Sequence, residues 1–572
     1  MINQELANIF YEIGYLLEIE EVAFKPQAYE KAAIVLESLA ESVAQIYKKG
    51  ETSALIAIPG IGKGIAKKIE EYLLTGKIKD YQELKKKFPV DIEGLMAVEG
   101  IGPKTIKKLY RELDIRNLND LEKAIEEDKI VSLSGFDKKT EKNILESIRF
   151  LRKNKGRFLL GEVLPIIRDI KEPLINLKEV RELDLAGSLR RKKETIGDID
   201  ILVISNKPEK VMDIFVKTQG IIKIWGKGKT KSSIRVQPGI DVDLRVVPEK
   251  SYGSALQYFT GSKEHNIALR KIAIDKKMKL NEYGLFRGKK MIAGRDEKEI
   301  YFALGLAYIP AEMRENRGEI EMALENRIPK LIGYNDIKGD LHCHSNWDGG
   351  KNSIEEMAKV AINMDYEYLG ISDHTKFLRI EHGLNEKQLS EQRKEIDKLN
   401  SKIQNSKFRL LQGAETNILK DGSIDINNQA LKNLDYAIAG IHSHFKLSKS
   451  QMTERIIKAM KNPNIDIISH PLGRILRRRD EYRIDFGKIL RTAKATKTIL
   501  EINSSPIRMD LKDTNIKKAK LAGVKMVINT DAHHKNHLRF MELGIAQARR
   551  GWAEKKDIIN VHPIKKLLTF FN

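Results

Sequence analysis

From Ile337 onward the chain repeats one arrangement: an apolar run of strand length, a His, Glu or Asp near its end, then a helical stretch. The ends fall at His342/His344, Ser372-Asp373-His374, Gly413-Ala414-Glu415, Ile441-His442-Ser443-His444, Ile468-Ser469-His470, Glu501-Ile502-Asn503 and Thr530-Asp531-Ala532-His533. Strands that alternate with helices favour a parallel sheet with the helices outside, and residues at the C-terminal ends of such strands converge on one rim. In H-x-H and D-x-H the period of two puts both side chains on one face. Imidazoles joined by a bridging carboxylate suit Mn²⁺, Zn²⁺ or Fe²⁺ better than Mg²⁺. One histidine alone is usually structural; a series this regular predicts a metal centre at the rim of a βα barrel.

A second cluster lies some 140 residues earlier. Ala186-Gly187-Ser188-Leu189-Arg190-Arg191 precedes Asp198-Ile199-Asp200, which leads into Ile201-Leu202-Val203-Ile204. That apolar run reads as a strand, so both carboxylates face the same way. A further carboxylate comes from the alternating segment Pro238 to Val247, which can pair beside the first. Several carboxylates with few other ligands suit Mg²⁺, which keeps waters and completes its octahedron with substrate phosphates. Two such ions stabilise the attacking and leaving oxygens of an in-line phosphoryl displacement. Gly187 permits close backbone approach, Ser188 offers a hydroxyl, and Arg190 and Arg191 offer forked cations for phosphate oxygens. Two metal sites on one polypeptide imply two reactions.

The N-terminal third holds an internal repeat. Leu55-Ile56-Ala57-Ile58-Pro59-Gly60-Ile61-Gly62 is echoed by Leu95-Met96-Ala97-Val98-Glu99-Gly100-Ile101-Gly102, about 40 residues on. Each reads as a short helix, a tight G-I-G turn and a second helix. The glycines Gly60, Gly62, Gly100 and Gly102 let backbone N–H groups meet a phosphate at a helix N-terminus. This is the helix-hairpin-helix pattern, which holds one strand's backbone without reading its bases. Val131-Ser132-Leu133-Ser134-Gly135-Phe136 keeps the outline without the second glycine and reads as a packing segment. The charge agrees with a nucleic-acid partner: Lys+Arg of 102 against Asp+Glu of 80 gives +22, an excess that draws polyanions. Heat-adapted proteins share such enrichment, so the charge supports the motifs without replacing them. One cysteine among 572 residues excludes a disulfide framework. With no signal peptide or membrane-length apolar run, a monomeric cytoplasmic protein is expected.

The G-S-x-R-R…G-D-x-D pattern from Gly187 to Asp200, with Tyr258-Phe259-Thr260-Gly261-Ser262, resembles the nucleotidyltransferases of the DNA polymerase X family, especially bacterial and archaeal members. The resemblance covers most of residues 1 to 315. It implies that Asp198, Asp200 and Asp243 bind the metals, with Asp243 nearest the primer 3′-hydroxyl. Ser188 and Arg191 would grip the triphosphate of a deoxynucleoside triphosphate beside Gly187. Tyr258 and Phe259 would crowd the sugar, Gly261 would belong to the same nucleotide-binding motif, Asn266 would reach the base edge, and Lys263 would add charge. Where animal relatives carry a basic residue two positions before Asp243, this chain has Asp241. Lys25 to Ala33 and the first hairpin are similar to the small lyase domain of repair polymerases, which makes Lys25 and Tyr29 candidate DNA-binding residues. Its Schiff-base lysine falls on Lys68, which would need a lowered pKa, while a 5′-phosphate lysine is replaced by Gly64.

Residues 337 to 560 look like a PHP phosphoesterase domain. By that resemblance His342, His344, His374, Glu415, His442, His470, Asp531 and His533 ligate up to three ions, with Glu415 bridging. The ninth ligand of the family falls on Gly349, with Asp348 one place early; His444, His534 and Cys343 are outer or packing residues. The basic run of Arg474 with Arg477-Arg478-Arg479 is a candidate for holding DNA beside the site. The resulting expectation is a multidomain α/β chain. It comprises a helical lyase-like domain (1–85), a fingers-type helical domain (86–150), a mixed α+β palm (151–248), a thumb (249–317), a linker (318–336) and a distorted (βα)7 barrel PHP domain (337–572). Its expected function is a DNA-directed DNA polymerase filling short gaps in repair on gapped or primer-template DNA. Mg²⁺ serves the polymerase site, and a PHP 3′–5′ exonuclease and abasic-site processing accompany it. A PHP half acting as a small-phosphoester phosphatase or metal scaffold is the alternative, and a DNA-end binding factor with vestigial chemistry is the reading from another class.

Overall fold

In the computed structural model, which describes residues 2–22, 25–39, 42–96, 98, 101–153, 156–405 and 407–571, Asp198–Ser205 is the second strand of a five-stranded sheet. The spatial order is Val180–Leu185, Asp198–Ser205, Ile240–Val246, Lys231–Val236, Ile221–Lys227. Ile199, Ile201 and Val203 bury one face with Val242 and Leu244 under the helices Leu160–Ile175 and Pro208–Phe215. Leu202 and Ile204, on the opposite face with Asp198 and Asp200, pack toward Tyr252, Ala255 and Leu256 of the helix Tyr252–Thr260. A one-residue slip would exchange the two faces. Each aliphatic side chain so exposed would forfeit roughly 1.5–3 kcal/mol, so the register is strongly set.

The thumb follows as the helices Tyr252–Thr260 and Lys263–Asp275, a three-stranded antiparallel sheet and the helix Glu297–Ala303. Beside that apolar contact, its tie to the palm is ionic. Glu297 accepts both Nη groups of Arg190, at 2.8 and 2.9 Å, and pairs with the fully buried Arg314. Although burial alone would raise the Glu297 carboxyl, the two guanidinium groups hold it well below the usual range. Removing one member of a buried pair leaves the others uncompensated. Glu297→Gln should therefore cost about 3–5 kcal/mol of stability, read as a lowered unfolding midpoint.

The segment expected to be a linker is packed instead. Glu319, Ile320 and Ala323 of the helix Glu319–Leu324 are buried, Glu319 lies 2.8 Å from His265, and Ile332 sits in the C-terminal core. From there the strands Gly339–Cys343, Tyr368–Ile371 and Arg409–Gln412 form one parallel sheet. Glu415–Asn417, Ile438–Gly440, Ile467–Ile468, Ile499–Asn503 and Met526–Asn529 form another. Arg409–Gln412 and Glu415–Asn417 are one path interrupted at Gly413-Ala414, so the seven expected strands read as eight stretches. Parallel bridges join His374 to Glu415 and Cys343 to Ala532.

The chain divides into two compact units, residues 1–155 with 477–479 and the remainder. In the first, two helical cores are present, around Leu36, Leu55 and Ile69 and around Leu95, Ile106 and Leu121. The helix Ile2–Ile19 serves both, giving Leu6, Phe10 and Ile13 to one and Leu16 and Ile19 to the other. No helix among the described residues is long and apolar enough to cross a membrane.

Candidate active sites

On the palm, parallel pairing sets Asp198 opposite Asp241 and Asp200 opposite Asp243. Period two therefore carries all four carboxylates to one face. Asp241 is taken up by Arg235 of the neighbouring strand, at 2.8 and 2.7 Å, and by the Trp225 indole at 2.8 Å. The cation absent from position 241 thus arrives from across the sheet. Asp243 accepts from the Ser233 hydroxyl at 2.5 Å and lies 3.2 Å from Lys231 Nζ. Burial first, then the charges of Asp198 and Asp243, push Asp200 up to about 7. A cluster that resists its own ionisation and offers only hard oxygens fits divalent cations. Gly187, at φ +62°, makes room for it: a Cβ there would stand 2.6 Å from Asp200 Oδ2.

Around these carboxylates, Ser188 lies half-buried in the short helix Gly187–Arg190. The side chain of Arg190 is committed to Glu297 and to the Thr260 hydroxyl, which corrects its reading as a phosphate ligand. Arg191 is 9% exposed, with Nε 3.1 Å from Glu315 and Nη1 donating to the Thr260 carbonyl. Tyr258 and Phe259 stack edge to face at 5.2 Å. Asn266 is oriented by Gln257 and by the Tyr258 carbonyl, both at 2.7 Å. Gly261 passes over Arg191 at φ +70°, and Lys263 is exposed at the start of its helix.

In the C-terminal portion the strand ends converge on Glu415. Its Oε2 lies 3.0 Å from His374 Nδ1 and 3.3 Å from His342 Nε2, and its Oε1 lies 2.9 Å from His470 Nε2 and 3.4 Å from His442 Nε2. Asp531 Oδ1 is 3.4 Å from His344 Nε2, and His533 stacks on His344 at 4.0 Å. Ligand atoms within 4.8 Å of one another group His344 with His374 and His533, His342 with His344 and Glu415, and His374 with Glu415 and His442. His342 Nε2, His344 Nε2, His374 Nδ1, His442 Nε2 and Glu415 Oε2 are buried without a hydrogen-bond partner. Such atoms are costly unless something binds them, and mixed imidazole and carboxylate donors fit transition-metal ions. Burial lowers His442 to about 4 and His533 to about 3, keeping these two rings neutral as ligation requires, whereas at His342 and His344 the facing carboxylates outweigh burial and raise the rings.

Three orienting groups lie behind the ligands, and of these Asn417 is not singled out by the sequence patterns. Glu501 lies 2.7 Å from His342 Nδ1 and accepts the His470 N–H at 2.8 Å; Asn417 lies 2.7 Å from His442 Nδ1. Asp348 lies 2.8 Å from His344 Nδ1 and accepts the His374 N–H. Carboxylates and amides behind ring nitrogens fix which nitrogen faces the ion. Glu501 carries a signal, since it sits at one of the strand ends. Cys343 and His534 pack outside the ligand groups, and His444 is exposed. Arg474 is buried against Glu194, at 3.2 and 2.8 Å, which removes it from the candidate DNA-holding run.

In the first unit, Gly62 and Gly102 cap the helices Lys63–Thr75 and Pro103–Leu113 without a side-chain hydrogen bond, leaving first-turn N–H groups for an anion. Gly60, at φ +92°, turns tightly against Val35; Gly100 lies outside the described residues. Lys25 is exposed. Tyr29 is 8% exposed and packs edge to face on Phe10 at 5.6 Å, so its ring belongs to the core rather than to a DNA surface. Lys68 is ion-paired with Asp80. Burial lowers its pKa, but the hydrogen bonds and charges of Asp80 and Tyr29 together outweigh it and the net shift is upward, so the neutral amine needed for Schiff-base attack is not prepared.

A palm carboxylate cluster gripped by a thumb, two glycine hairpins, and a separate histidine-rich centre at parallel strand ends define a two-site phosphoryl-transfer protein. Residues 255–315 match the DNA polymerase beta thumb, 1–78 the helix-hairpin-helix domain, 92–149 the SAM-like helix-hairpin-helix tandem and 340–505 the PHP domain. The chain is 36% identical over 575 residues to the DNA polymerase/3′-5′ exonuclease PolX of Bacillus subtilis, covering 100% of this chain and 99% of that one. It belongs to the DNA polymerase X family, in the branch with helix-hairpin-helix and PHP domains. Probable phosphatases match in part: 37% identity over 100 residues in Syntrophotalea carbinolica, 17% of this chain and 39% of that protein, and 38% over 134 residues in Thermoanaerobacter sp., 22% and 52%. A polymerase of this family with hairpin domains binds DNA, and its polymerase and PHP portions each imply divalent metals.

Proposed function

We propose that this protein is a DNA-directed DNA polymerase that fills short gaps in repair and trims 3′ ends with its PHP portion as a 3′–5′ exonuclease. The observation that carries it is the parallel register placing Asp200 beside Asp243 on the face of Asp198, in a chain that spans a PolX relative end to end. Asp198, Asp200 and Asp243 would hold two Mg²⁺, which would supply charge for the entering and leaving oxygens. Ser188 and Arg191 bind the triphosphate, Tyr258 and Phe259 exclude a 2′-hydroxyl, Asn266 meets the base edge from the minor-groove side, and Lys263 adds positive field. The backbone of Gly60, Gly62, Gly100 and Gly102 holds the DNA phosphates, and Lys25 adds charge beside them.

His342, His344, His374, Glu415, His442, His470, Asp531 and His533 would hold up to three Mn²⁺, Zn²⁺ or Fe²⁺ ions, which would supply Lewis acidity for phosphodiester hydrolysis. The likeness of this portion to probable phosphatases supports hydrolysis of small phosphoesters as a second reading. The protein acts as a cytoplasmic monomer. A gapped, 5′-phosphorylated duplex labelled on the primer strand, incubated with Mg²⁺ or Mn²⁺ and with or without deoxynucleotides, tests both readings. Extension with nucleotides and shortening from the 3′ end without them is expected. An unextended gap overturns the polymerase reading, and an intact 3′ end alongside hydrolysis of a nucleoside monophosphate favours the second.

A further inference from the structure

The palm loop that carries Arg191 is held from the PHP portion. Arg550 ends the helix Met541–Arg550 and is 4% exposed. Its Nη1 donates to the Arg191 carbonyl at 2.7 Å and to Glu315 Oε1 at 3.1 Å, and its Nη2 donates to Asp513 at 2.6 Å. The same Glu315 oxygen accepts Arg191 Nε at 3.1 Å. Arg550 thus touches both the main chain of Arg191 and the carboxylate that aims its guanidinium. Farther along the loop, Glu194 pairs with Arg474 and lies 3.4 Å from Gln547, three residues before Arg550 on the same helix. Met509 and Leu543 of the PHP portion also complete the palm core. None of these groups belongs to the histidine-rich centre.

We infer that Arg550 is a positioning residue for nucleotide addition: through the Arg191 carbonyl and Glu315 it fixes the guanidinium that takes the triphosphate. The phosphoesterase portion therefore supports the polymerase centre as well as carrying its own. The inference rests on the reading of Arg191 as a triphosphate grip. Without Arg550, the buried Arg191 carbonyl loses this donor and, among the described residues, Glu315 keeps the cations of Arg191 and Lys193, whose Nζ is 3.8 Å away. The loop is then free to settle differently, and small displacements of a positioning group are expensive in rate.

In the full-length protein, Arg550→Gln should raise the KM for the incoming nucleotide about tenfold, with a smaller change in kcat, while 3′–5′ degradation of the same primer holds. Glu315→Gln should do the same, and the double variant should fall well short of the product of the two effects, as expected of groups in one network. Arg550→Lys, which retains a cation in reach of Glu315, should recover part of the loss. An unchanged KM in folded Arg550→Gln, or equal losses of synthesis and degradation, overturns the inference. Should that variant not fold, an unchanged KM in Glu315→Gln overturns it instead. Arg191→Lys separates the two levels: no effect there refutes the triphosphate reading, whereas a large effect there with a silent Arg550→Gln refutes the relay alone.

Discussion

Replacing Asp198 and Asp200 together by Ala should abolish addition to a one-nucleotide gap, by on the order of 10³-fold or more, since the ions proposed for them would contribute several kcal/mol to the transition state. Degradation of the 3′ end should persist at close to its normal rate. Loss of both activities together would refute two independent centres. Stability should move the other way from activity. Asp200 is raised to about 7 by burial and by its like-charged neighbours, so the folded state binds more protons than the unfolded chain between pH 4 and 7. Stability without metal therefore falls as pH rises through that window and stays lower above it. Asp200→Asn should remove this decline. Thermal unfolding in chelator from pH 4 to 8 reads it, and an unchanged pH slope would count against the crowded-carboxylate account.

Glu415→Gln is the matching change in the other centre. The side chain keeps its shape but loses the charge on which His342, His374, His442 and His470 converge. Removing the proposed bridging ligand should lower 3′–5′ degradation by on the order of 10³-fold, while gap filling with Mg²⁺ stays within about threefold, the effect of a distant independent site. Metal content by mass should fall in parallel. Retained degradation with metal lost would show that Glu415 holds a structural ion rather than a reactive one.

Much of both centres was legible because it depends on local geometry. D-x-D and H-x-H place their side chains together whatever the strand pairs with, since a strand's period of two is covalent in origin. Turns of the G-I-G kind likewise declare a helix start locally. Tyr29 and Arg190 were harder. A tyrosine and an arginine beside functional motifs look alike whether they face DNA or the core, and their partners decide which. Tyr29 meets Phe10 across two helices, and Arg190 meets Glu297, which lies 107 residues away. Lys68 needed Asp80 from the following helix to reveal that it stays charged.

By itself, therefore, the sequence determined which residue types stand together on each strand end and hairpin, and hence the two chemistries and the family. Only the tertiary structure decided the register that selects Asp243 beside Asp200 and leaves Asp241 to Arg235. It also supplied the Glu501 behind His342, 159 residues distant, and the PHP helix behind Arg191. The reason is that backbone periodicity is set by neighbours along the chain. Ion-pair choice and burial are settled by free energies shared among segments that meet only once the cores have closed.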